Sequence, residues 1–149
     1  MPINTVRRAL LITGLGAALN SHALPVKTLV FPRDNGSHPD FRTEWWYVTG
    51  YAKSAEREFG FQLTFFRSRV DATQGMASKF AAKQLIFAHA AVTDVQGKKL
   101  LHDQRIAREG FDVAVAGSAR TDVRIKDWSL AQEPGHSAPG WRARISVCY

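Results

Sequence analysis

Beyond the first two dozen residues, runs of β-branched and aromatic residues alternate with turn residues at intervals that suit an antiparallel sheet. A short strand is expected over Val26 to Phe31, closed by Pro32, and an aromatic one over Glu44 to Lys53. Phe59 to Val70 reads as a long strand, followed by a loop around Asp71 to Ser78 and a strand over Lys83 to Asp94. Residues 76–86 have the composition of a helical turn leading into that strand. Val95-Gln96-Gly97-Lys98 reads as a hairpin turn with Gly97 at positive φ. Lys99 to Gln104, Phe111 to Ala116, Thr121 to Trp128 and Trp141 to Val147 complete about eight strands, with turns at 117–119 and 134–140 between the last of them.

The period of two also sorts side chains by face. Glu44, Trp46 and Val48 share one side of their strand, and Trp45, Tyr47 and Thr49 the other. Phe61, Leu63, Phe65 and Arg67 oppose Gln62, Thr64, Phe66 and Ser68, while His89 lies with Leu85, Phe87, Ala91 and Thr93. Strands in sequence order with short turns argue for an up-and-down meander curling into a barrel or half-barrel. The strand pattern alone does not choose that over a sandwich.

Before this region the pattern changes. Arg7 and Arg8 precede a largely apolar run from Ala9 to Leu19, and Ser21-His22-Ala23 supplies small residues ahead of Leu24. That is the layout of a secretory signal over residues 1–23, too short to span a membrane, with the arginine pair also compatible with twin-arginine export. The chain is therefore expected to be exported, periplasmic or membrane-associated, with one domain over residues 24–149.

Composition narrows the classes further. The chain has 149 residues, 45% of them hydrophobic and 22% charged, which suits one globular domain. Net charge is +7; removing residues 1–23 deletes two arginines and no acid, leaving 18 bases against 13 acids, or +5. The bases are scattered among acids rather than gathered in a stripe, which argues against nucleic-acid binding and leaves attraction to an anionic membrane surface. Cys148 is the single cysteine, so no intrachain disulfide forms. There is no phosphate loop, nucleophile elbow or paired zinc motif, and neither metal nor cofactor is expected.

Three motifs carry more information. Phe31-Pro-Arg-Asp-Asn-Gly-Ser-His-Pro-Asp-Phe-Arg-Thr-Glu-Trp-Trp-Tyr-Val-Thr-Gly50 packs a tight loop against a strand opening with three aromatic rings, the anatomy of a pocket rim. Phe59-Gly-Phe-Gln-Leu-Thr-Phe-Phe-Arg-Ser-Arg69 and Phe87-Ala-His-Ala-Ala-Val-Thr-Asp94 follow it in order. Together they resemble the carotenoid 1,2-hydratase (hydroxyneurosporene synthase) and AttH-like group of lipocalin-like proteins, from about Val30 to about Gly110. Asn35 stands where many relatives carry a histidine. The resemblance implies a lipocalin-like fold, a hydrophobic ligand such as a polyene or lipid, and for the AttH-like branch service to an ABC-type export system. Members generally carry two lipocalin-like halves, so this chain corresponds to the first.

The enzymatic reading is acid-catalysed hydration of a terminal C=C bond in a polyene, without a cofactor. It needs a protonated carboxyl in an apolar setting, aromatic faces against the cation and one ordered water. Glu44, Asp40 and His89 are the candidate catalytic residues. His38, Arg42, Trp45, Trp46, Tyr47, Gln62, Phe65 and Arg67 are the candidate ligand contacts. Each has a plainer reading. Glu44 pairs with Arg42, Arg67 or Arg69; His89 is a hydrogen-bonded core histidine; Asp40 and the polar loop residues make local turns. The alternatives to an enzyme are a binding accessory of an ABC-type exporter and a truncated remnant. An incomplete barrel would hold an apolar ligand weakly and self-associate through its open edge.

Overall fold

The computed structural model describes residues 26–133 and 140–146, and these form eight antiparallel strands in two four-stranded sheets. Strands β1 (Thr43–Ser54), β2 (Arg57–Arg69), β3 (Gln84–Asp94) and β4 (Lys99–Arg108) make the first sheet in sequence order. Strands β5 (Ala114–Ala116), β6 (Asp122–Ile125), β7 (Trp128–Glu133) and β8 (Gly140–Arg144) make the second, again in order. The molecule is thus an open two-sheet meander. Among the described residues β1 and β8 pair only with β2 and β7, and no barrel closes.

The core lies between the sheets. From the first come Leu63, Phe65, Ile86, Ala88 and Ala90; from the second, Ala114, Ala116, Val123, Ile125, Trp128 and Leu130. Trp46 and Val48 pack against them from β1, so the Glu44/Trp46/Val48 set faces inward. Trp128 is wholly buried, yet its indole N–H donates to the Ser146 carbonyl (2.8 Å) and the Arg105 guanidinium lies 4.6 Å from its ring. The polar edge of a buried ring is thereby satisfied.

Several expected elements differ. Residues 26–30 form no strand: the Asp34 carboxylate takes the Val30 N–H (2.7 Å) and turns the chain into a 3-10 turn at Arg33–Asn35. The helical turn expected over residues 76–86 is absent; a 3-10 turn sits earlier, at Asp71–Thr73, and Gln84 already opens β3. The expected strand Thr121 to Trp128 is two strands folded on themselves at Lys126, whose φ is +53°. Lys126 and Asp127 break a run whose composition otherwise reads as continuous. In the β3–β4 hairpin the positive φ belongs to Lys98 (48°), not to Gly97. Gly97 instead leaves room for the Asp94 carboxylate, which caps the turn by accepting the Gly97 N–H; a Cβ there would lie 2.3 Å from that carboxylate and displace it. The proposed signal over residues 1–23, most of the turn at 134–140 and Cys148 lie outside the described residues.

Candidate functional site

The loop before β1 is fastened by Arg67, whose side chain is 1% exposed. Glu44 and Arg67 are cross-strand partners, which brings carboxylate and guanidinium together on the inner face. Arg67 Nε donates to Glu44 Oε2 (2.7 Å), Nη1 to Gln84 Oε1 (2.6 Å) and Nη2 to the carbonyls of His38 (2.9 Å) and Phe41 (2.7 Å). The planar fork of an arginine suits such convergent acceptors. Glu44 also accepts the His38 backbone N–H (2.8 Å) and the Ser37 hydroxyl (3.2 Å), and lies 2.7 Å from His38 Nδ1. Burial pushes the Glu44 carboxyl up, but the His38 N–H, the Arg67 guanidinium and the His38 ring outweigh it and hold the group below its ordinary value. Glu44 is an ionised clasp.

His38 bridges two carboxylates, with Nε2 3.0 Å from Asp34 Oδ1, and its ring stacks on Phe41 at 4.9 Å. The backbone N–H of Val30 and the His38 side chain hold the Asp34 carboxyl low. Asn35 ties this loop to both sheets: its carbonyl accepts from Trp46 Nε1 (3.0 Å) and Thr121 Oγ1 (2.6 Å). Gly36 passes so close to the second sheet that a Cβ would stand 2.7 Å from the Ser118 carbonyl.

A different surface has the shape of a binding site. On the outer face of the first sheet, Trp45, Phe66, Phe87 and Ile106 are successive cross-strand partners and form one apolar row across all four strands. Trp45 is 65% exposed and Ile106 60%. The next row is polar: Tyr47, Thr64, His89 and Gln104. A cavity of about 640 Å³ opens here, lined in part by Thr43, Phe66, Ser68, Phe87, His89, Gln104 and Ile106. A second cavity, about 530 Å³, lies where the sheets part beside β1, lined by Trp46, Tyr47, Val48, Thr49, Leu130 and Trp141.

The predicted residues therefore divide. Trp45, Tyr47, Gln62 and His89 share the outer face. Phe65 is a core residue, and Arg67 has its donors engaged by the loop. Trp46 belongs to the inner face and its cavity. His38 and Glu44 belong to the clasp, which corrects the reading of Glu44 as a protonated acid: a carboxyl needs a dry, unpaired setting for that role. Asp40 is 98% exposed and pairs with Arg69 at 3.6 Å, so water denies it the same role. Arg42 is exposed, and its carbonyl accepts the Arg69 N–H (2.9 Å). His89 is half-buried on the outer face rather than in the core, with its ring 6.3 Å from that of His102.

Sequence reasoning passed over Phe66, Phe87, Gln104 and Ile106. Their shared face was readable within each strand, but the row needs the inter-strand register. Gln84, the buried partner of Arg67, carried no signal. Among the described residues no three His, Cys, Asp or Glu side chains cluster as metal ligands would.

Comparison with known proteins adds to this geometry. The family model described as AttH-like matches residues 22–147. Among solved structures the chain is similar to a candidate AttH protein of Nitrosomonas europaea, determined by crystallography at 2.00 Å resolution. The two are 44% identical, with a TM-score of 0.67 over 83% of this chain and 36% of that one. The chain thus spans 36% of the length of that protein. No curated protein matches.

Proposed function

The chain belongs to the AttH-like family, and from that premise we propose that it is an exported, lipocalin-like binding protein that holds an elongated apolar ligand on the outer face of its first sheet. The observation that carries this reading is the Trp45–Phe66–Phe87–Ile106 row, left exposed beside a cavity of about 640 Å³. Apolar rings in water are a standing cost that a polyene or acyl chain relieves. The polar row supplies the other half of the fit. Tyr47, His89 and Gln104 offer hydrogen-bonding groups to a ligand's polar end, His89 and Gln104 on adjacent strands and Tyr47 two strands from His89.

Binding without hydration fits these groups better. Hydration requires a protonated carboxyl beside the double bond. Glu44 is ionised on the opposite face, and Asp40 stands in water. The family premise suggests service to an ABC-type export system, with the ligand handed to or taken from its membrane components.

Trp45 sits in the row and reports on it. Titration of the full chain with a long-chain fatty acid or a polyene should give weak, saturable quenching. Ile106→Asp, which sets a charge in an exposed position of the row, should weaken binding by about tenfold or more. Saturable binding that ignores Ile106→Asp but is lost in Trp141→Ala would move the ligand to the cavity between the sheets and overturn the proposal.

A further inference from the structure

The loop joining β2 to β3 and the loop joining β4 to β5 meet at one end of the first sheet, where each leaves a phenylalanine in water. Phe80 is 62% exposed and Phe111 51%. Neither ring hangs free. They stack with centroids 5.5 Å apart and planes 16° from parallel. The Arg108 guanidinium lies 4.3 Å from the Phe111 ring and 5.7 Å from that of Phe80, and Arg108 also donates to the Phe80 carbonyl. Lys79 Nζ stands 5.5 Å from the Phe80 ring. Phe111 and Asp112 both adopt positive φ, 56° and 57°, a backbone region unfavourable to a bulky side chain. The fold thus tolerates a local strain that keeps an aromatic side chain out of the core. Met76 and Val113, in the same loops, are exposed as well.

The charge nearest the rings is basic, with Lys79 and Arg108 lying over them. Asp40 and Asp71 both pair with Arg69, and Glu109 accepts the Ala116 N–H. Lys83 and Asp112 follow in the same two loops. Aromatic rings held among cations match the boundary of an anionic bilayer, where rings sit at headgroup depth and cations meet phosphates.

We propose that the Phe80–Phe111 tip, with Lys79 and Arg108, docks the protein on the surface of an anionic phospholipid bilayer. The position of the tip gives the contact a use. Arg108 continues the cross-strand row of Thr43, Ser68 and Leu85, which lies next to the apolar row, and Thr43 and Ser68 line the outer cavity. A docked tip holds that cavity beside the headgroup layer, which shortens the path of an apolar molecule between bilayer and sheet. This route rests on the ligand-face reading above; the docking does not.

Flotation of the full chain with vesicles tests it. The chain should float with phosphatidylcholine vesicles containing phosphatidylglycerol, should float far less with phosphatidylcholine alone, and should be released by added salt. Replacing both rings (Phe80→Ala with Phe111→Ala) should lower partitioning by about tenfold or more. Lys79→Glu should lower it too, and because all three residues are exposed, circular dichroism and thermal unfolding should match the parent chain. Undiminished flotation of the double-ring variant, equal flotation on both vesicle types, or none on either, overturns the proposal. Vesicle binding that persists in a chain showing no saturable fatty-acid binding would sink the ligand-face reading and leave the docking surface standing.

Discussion

Glu44 is placed by register rather than by its neighbours in sequence. Opposite Arg67 on β2, and within reach of the His38 N–H at 2.8 Å, it converts a surface-type residue into the anchor of a whole loop. Removing one partner of such a pair strands a buried charge, so Glu44→Gln should destabilise the fold by about 3 kcal/mol. The carboxyl is held below its ordinary value of 4.5, so the folded state binds its proton less readily than the unfolded chain. Its contribution is complete above the ordinary glutamate range and fades as pH falls through the folded-state value. The gap in Tm between the parent and Glu44→Gln should therefore be widest near neutrality and should narrow in acid. A gap constant down to strongly acidic pH would show that the ion pair is not what the substitution removes.

At the scale of the element, β1 is an edge strand with little protection. It runs twelve residues, Thr43–Ser54, and only its β2 side is paired among the described residues. It contains no proline, and its one lysine, Lys53, sits near its end. Natural edge strands use such residues to block pairing with other chains, and β1 lacks them over most of its length. Beside it the sheets part over Trp46, Val48 and Leu130. The chain should accordingly self-associate as concentration rises, and Thr49→Lys, an exposed position midway along the edge, should shift sedimentation toward the monomer. If Thr49→Lys and the parent sediment identically at every concentration, the edge is not the site of contact.

For the whole molecule, the expected export and the open architecture belong together. An apolar sheet face and an aromatic tip are hazards in a crowded interior, and they suit a protein that works beside a membrane. Arg7-Arg8, the apolar run to Leu19 and Ala23 predict cleavage before Leu24. Mass spectrometry of protein recovered from the periplasm should find Leu24 as its first residue; recovery there with Met1 intact would rule out a cleaved signal. The same scale explains why no single strand reveals the site. The apolar row takes one residue from each of four strands, Trp45, Phe66, Phe87 and Ile106, and exists only when all four are in register.

The sequence by itself determined the β class, the central strands, the two faces of each strand and the AttH-like part of the family resemblance, because these depend on local periodicity and on motifs read in order. It also placed Glu44 against an arginine, since an acid opening an apolar strand demands a partner. It did not decide which face turns inward. The alternation of Trp45 with Trp46 is symmetric until a second sheet arrives to cover one side, and the second sheet covers Trp46. Nor did local composition separate β6 from β7, because Thr121 to Trp128 is rich in strand-formers until a positive φ at Lys126 folds it back. The positions of His89 and Arg67 were decided the same way. Both are polar residues in apolar strands, and only the packing of two sheets put His89 beside an open cavity and Arg67 in the clasp.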